Sequence, residues 1–221
     1  NIITSLLSIL AITFLVGGIY LSIAGLFGDD GFIETYIAND ILSGGEIAGA
    51  VAGVIFGFFI SVFASWALYS VLKKRTEQMK ALEYNGLISF IFIKTIPKLI
   101  LVIGELLFIL FIYAGVLQII AALVGSYVYA PLSEYPSLIL GLFPGMEVFS
   151  GIAPQQIYGD YDNLSEFLKI GVISIASSFV VLIAFYIYKE IYTYALKLVL
   201  NFISFMPKFA IPLAIRKREE N

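Results

Sequence analysis

One acidic residue, Glu105, falls well inside a long apolar run of this sequence. A carboxylate held in hydrocarbon costs several kcal/mol, so its default reading is functional. Proton transfer, cation binding and an ion pair with another subunit all fit. A structural reading competes with these. Lys98 precedes Glu105 by about two helical turns, or 10 Å along the axis, and Lys94, Lys98 and Glu105 fall near one helix face. A snorkelling Glu–Lys arrangement at the interface is the reading this spacing favours. Gln118, the other polar residue of the run, points to the largely opposite side of the helix and makes no joint site with Glu105. It is expected to hydrogen-bond to a neighbouring helix.

A second pattern concerns packing rather than reaction chemistry. Small residues recur at every fourth position: Gly45, Gly49, Gly53, Gly57, Ser61 and Ser65. Glycine has no side chain, so another backbone can approach closely along such a stripe. A period longer than the helical repeat turns the stripe around the axis and favours a right-handed crossing. One partner crosses it, or two partners share it. The candidate within the chain is the first apolar run, with Gly17, Gly18, Ser22 and Gly25; the alternative is a helix of another copy or another subunit. Gly45 also fits a Gly44-Gly45 turn before the helix.

Other chemistries lack their residues. The chain has no cysteine and no histidine. Histidine- or cysteine-ligated haem, iron–sulfur clusters and the usual zinc sites have no ligands. Nucleophile pairs that rely on histidine are excluded. The glycines at 44–57 have no following Lys-Ser/Thr, so they are not a phosphate loop. Asp29-Asp30 and Asp160-x-Asp162 lack EF-hand spacing. The sequence therefore predicts no cofactor, no metal site, no nucleic-acid binding and no enzyme.

Composition says what must hold these residues. Of the 221 residues, 60% are hydrophobic and 13% charged, with a net charge of −3. Soluble domains carry about twice that charged fraction, so the lipid bilayer is a partner. Four runs are long enough to cross it as helices: residues 2–27, 47–72, 99–124 and 170–188. The run at 2–27 is too long for a signal-peptide core and lacks a basic flank. The expected fold is a single all-α membrane domain over 1–221, with interfacial helices flanking spans three and four. Residues 87–96, ahead of Pro97, read as a short interfacial helix and a bend, or as the start of one kinked helix. Residues 126–166 form a long loop with an apolar patch at 138–149. That patch lies in the interface, dips into the membrane or docks on another subunit. Residues 189–221 read as an amphipathic tail.

Charge is one-sided. Lys73, Lys74, Arg75, Lys80, Lys94 and Lys98 follow span two, and most remaining basic residues follow span four. The other loops are acidic. The positive-inside rule puts both termini in the cytoplasm, across a plasma or inner membrane. Lys73, Lys74 and Arg75 set topology or touch anionic headgroups.

These features point first to a non-catalytic accessory or structural subunit of a membrane complex, packed against other subunits or copies of itself. The alternative is a small transporter or channel subunit with Glu105 in a cation or proton path.

Overall fold

The computed structural model describes residues 2–27, 31–34, 44–82, 89–149, 151–152, 154 and 157–205. Asp29, Asp30 and Asp40 of the first acidic loop, and Lys208, Arg216, Lys217 and Arg218 of the tail, lie outside the described residues. The described residues are all helix and irregular backbone. The elements are α1 (Ile2–Phe27), α2 (Gly44–Lys80), α3 (Ile96–Val124), α4 (Tyr135–Leu140) and α5 (Leu164–Phe205). Four of them, α1, α2, α3 and α5, are long and apolar enough to cross a membrane.

Helix ends follow local chemistry. A π-helical turn over Ser89–Thr95 runs straight into α3. Thr95 Oγ1 donates to the Phe90 carbonyl (2.8 Å) across this turn. Pro97 then occupies the first turn of α3, where its missing N–H costs nothing. At the other end Gly125 adopts the left-handed conformation (φ 61°), and its N–H bonds back to Ala121. The helix of the fourth span runs on past Tyr188 into the tail. It continues as one helix of 42 residues, about 63 Å long and roughly twice the hydrocarbon thickness.

The long helices form a row in which α1 packs on α2, α2 on α3, and α3 on α5. Close approaches mark each junction. A Cβ on Gly18 would sit 2.1 Å from Ser65 Oγ, so α1 meets α2 there. Gly115 and Gly171 bring α3 and α5 so close that a Cβ on either would press on the other's carbonyl oxygen. Ser174 Oγ also crosses this junction to the Phe111 carbonyl (3.0 Å). Helix hydroxyls elsewhere return their protons to the preceding turn, as Ser8, Ser22, Ser65 and Thr76 do. That leaves few unsatisfied donors facing lipid. The outer surface is apolar: Ile2, Val16, Phe59, Phe63 and Ile183 are all exposed. This is an integral, multi-pass membrane protein.

Candidate functional site

The connection between α3 and α5 defines the site. It is not a loop lying outside the bundle. After Gly125 the chain turns back along the face of the helix row. Ser126–Ala130 run extended over the glycines of α2. A Cβ on Gly49 would lie 2.4 Å from the Val124 carbonyl oxygen, one on Gly53 2.5 Å from that of Tyr127, and one on Gly57 2.2 Å from that of Tyr129. The absent side chains are therefore replaced by backbone oxygens, of the last residue of α3 at Gly49 and of the extended segment at Gly53 and Gly57. Cα–H···O contacts of this kind contribute weakly, about 0.5–1 kcal/mol each. The small-residue stripe thus has three neighbours: the C-terminal end of α3 and Ser126 at Gly49, with α3 again at Ser61 through Tyr113; the extended segment at Gly53 and Gly57; and α1 at Ser65. Gly45 is the second residue of α2, and its surroundings are outside the described side chains.

The segment keeps descending. The Leu132 N–H donates to the Tyr113 hydroxyl (3.4 Å), and Tyr113 lies about 16 Å along α3 from Val124. The Tyr113 hydroxyl is 2.9 Å from Ser61 Oγ. Ser61 already gives its proton to the Gly57 carbonyl (2.6 Å), so Tyr113 donates to Ser61 and accepts from Leu132. Next, α4 packs Leu140 into a buried cluster with Leu107, Phe111, Val181 and Phe185. Phe143 stacks edge-on against Phe185 (5.1 Å) and Tyr188 (6.1 Å). Phe185 in turn covers Gly104, about 30 Å from Val124. The hairpin therefore crosses a depth equal to the hydrocarbon core before it returns.

The returning limb pairs with the descending one. Val128 N–H donates to Ile157 (3.0 Å) and Gly159 N–H to Ser126 (3.1 Å), with the Tyr127 and Tyr158 rings 4.5 Å apart. Gln118 Nε2 donates to the Tyr158 carbonyl (2.6 Å). Its partner is thus hairpin backbone, where a neighbouring helix was expected. The Tyr161 hydroxyl caps the Val124 carbonyl (2.9 Å), and the Tyr129 hydroxyl reaches Leu21 of α1. Non-helical backbone at membrane depth persists only where protein or internal water satisfies it. Here Tyr113 and Gln118 of α3 satisfy two of its groups, and the two limbs satisfy others by pairing. We expect Tyr113→Phe to strand the Leu132 N–H and lower stability by about 1–2 kcal/mol. Thermal unfolding in mild detergent would register this, and an unchanged midpoint would remove Tyr113 from the account.

Two carboxylates stand out, one at the basic end of the helix row and one on the hairpin. Glu105 is held by Arg75 of α2 in a two-point pair, Arg75 Nε donating to Oε2 at 2.8 Å and Nη2 to Oε1. Arg75 Nη1 also donates to Gln78 (2.7 Å). The partner expected from spacing was Lys94 or Lys98 on the same helix. Arg75 takes the acid because α2 and α3 lie side by side and Arg75 turns inward, while Lys73 and Lys74 stay exposed. A guanidinium also matches a carboxylate at two points, which an ammonium cannot do.

The second acid, Glu134, belongs by sequence to the acidic connection between spans three and four. It sits between Leu132, near the level of Tyr113, and Leu140, near that of Phe111, and its side chain is exposed. Its neighbours Leu132 and Tyr135 line a cavity of about 300 Å³ against Thr13, Gly17 and Gly18 of α1. The usable signal was the apolar character around it: residues 135–146 carry no charge. Among the described residues, no group of three or more acids stands ready for a metal ion.

No protein family, characterised protein or solved structure matches this chain. Its class therefore rests on its own geometry: an integral membrane protein with four long apolar helices among the described residues, in which the connection between α3 and α5 turns back into the bundle as a hairpin.

Proposed function

We propose that this chain is a transporter or channel subunit that handles a small cation or proton beside the re-entrant hairpin. The observation that carries the reading is Glu134, an exposed carboxylate near mid-depth on non-helical backbone. An ionisable group there is costly unless it meets water, a cation or a counter-charge. Re-entrant backbone is characteristic of ion and solute paths for the same reason. In this reading Glu134 is the cation-responsive group. Glu105, neutralised by Arg75, closes the basic end. The excess of basic residues at that end supports cytoplasmic termini, with Glu134 reached from the opposite side.

The test is cation and proton flux in liposomes reconstituted with the purified chain. Flux in the wild type that falls at least tenfold in Glu134→Gln is the expected result. Equal flux in both would overturn the role of Glu134. A wild type inert to H⁺, Na⁺ and K⁺ gradients would favour the second reading, an accessory subunit. One observation speaks for that reading: α5 extends well past the bilayer with Ile191, Tyr194, Leu198 and Phe202 exposed.

A further inference from the structure

A groove of about 200 Å³ opens between α1 and α2 where the apolar run of α2 gives way to its basic residues. Its walls divide by chemistry. Ala11 and Ile12 of α1 form an apolar side, while Lys73, Thr76, Glu77 and Lys80 of α2 form a charged one. Lys73 and Lys80 stand two turns apart on one face, about 10 Å along the axis, so their flexible ammonium groups can converge on one anion between them. Lys73 lies 5.9 Å from the centre of the Tyr69 ring, which steadies it by a cation–π contact. Neither lysine forms an ion pair among the described residues.

The hydroxyls narrow the ligand further. Ser8 gives its proton to the Thr4 carbonyl (2.8 Å) and Thr76 to that of Leu72 (2.8 Å). Both therefore face the groove as acceptors, as does the Glu77 carboxylate. The groove thus offers two cationic donors for an anion and three acceptors for hydroxyl donors. Two lysines against one glutamate leave one net positive charge, which a singly negative ligand neutralises and a zwitterion does not. The apolar wall and the position at the headgroup level call for an acyl chain on the same molecule.

We propose that this groove binds an anionic phospholipid with a polyol headgroup, its phosphate between Lys73 and Lys80 and its hydroxyls toward Glu77, Thr76 and Ser8. The proposal is independent of the transport reading.

Trp66, the single tryptophan of the chain, provides the assay. It is lipid-exposed, 54% accessible, and lies on the Tyr69–Lys73 side of α2 one turn deeper than the groove. Bromine on a lipid acyl chain quenches it on contact. In mixed bilayers, brominated phosphatidylglycerol should quench Trp66 in clear preference to brominated phosphatidylcholine. Near-surface electrostatics sets this preference at about fivefold per lysine. The double substitution Lys73→Gln/Lys80→Gln should abolish it, while Lys94→Gln/Lys98→Gln should leave it nearly intact. Loss in both variants would reduce the effect to bulk charge and overturn the site. Equal quenching by the two lipids in the wild type would overturn it outright. A matching preference for brominated phosphatidylethanolamine would overturn the polyol assignment. Reversal by millimolar glycerol phosphate would replace the lipid with a soluble phosphate ester.

Discussion

Gly57→Ala should destabilise the protein by about 2–3 kcal/mol, although alanine is the better helix former. The new Cβ would lie 2.2 Å from the Tyr129 carbonyl oxygen and 3.1 Å from its carbon. Both atoms are backbone, so no rotamer change relieves the overlap. The extended segment must lift off α2, and the polar chain from Leu132 through Tyr113 to Ser61 goes with it. Gly53→Ala should act in the same direction, its Cβ meeting the Tyr127 oxygen at 2.5 Å; Gly53→Leu should be worse. The control is Gly17→Ala, where the nearest atom is Thr13 Cγ2 at 3.9 Å. That change should be neutral or stabilising by up to about 1 kcal/mol, from helix propensity alone. Opposite signs at two helical glycines separate a docking surface from a general small-residue preference. Thermal or SDS-titrated unfolding of the purified variants gives the comparison. A stabilised Gly57→Ala would refute the seating of the hairpin.

The Arg75–Glu105 pair should show asymmetric losses. The side chains are 27% and 21% exposed, so solvent screens them in part. Arg75→Gln leaves a carboxylate at the edge of the hydrocarbon without its cation and should cost about 2–3 kcal/mol, somewhat below a fully buried pair. Glu105→Gln keeps a hydrogen-bond acceptor for the guanidinium and leaves Arg75 close enough to the basic end to reach water. Its cost should be nearer 1 kcal/mol. The double variant should be less damaged than the sum of the singles, because neither charge is then stranded. Arg75→Lys should fall between, since an ammonium cannot engage both oxygens. Denaturation of the four variants in one detergent closes the cycle, and strict additivity would mean that the pair carries no coupling.

The spans and the segregation of charge were legible in the sequence because both are one-dimensional. A run of apolar residues long enough to cross hydrocarbon has few alternatives, and α1, α2, α3 and α5 contain all four runs. What the glycines of α2 hold was not legible. A stripe of small residues records only which side chains are missing; it does not say whether a helix or an extended segment fills the space. The hairpin was obscured for a related reason. Its limbs are short and are interrupted by Pro131, Pro136, Pro144 and Gly145, so no window of the length of a span exposes them. Glu105 was visible as an anomaly, but its partner depended on how α2 and α3 lie together. Glu134 was hidden because an acid in a loop is ordinary until the loop is found inside the bundle.

The central claim is that the connection after α3 descends through the thickness of the membrane between Ser126 and Phe143. Single cysteines can be placed on the natural background, which has none. Spin labels at Leu138 and Leu142, which are 64% and 77% exposed on the outer face of the hairpin, would report depth in reconstituted bilayers. Relaxation by oxygen should dominate at both positions, as at Ile183 of α5, while a label at Tyr161 should respond to a water-soluble nickel chelate. Nickel accessibility at Leu138 and Leu142 equal to that at Tyr161 would put the connection outside the membrane and contradict the account.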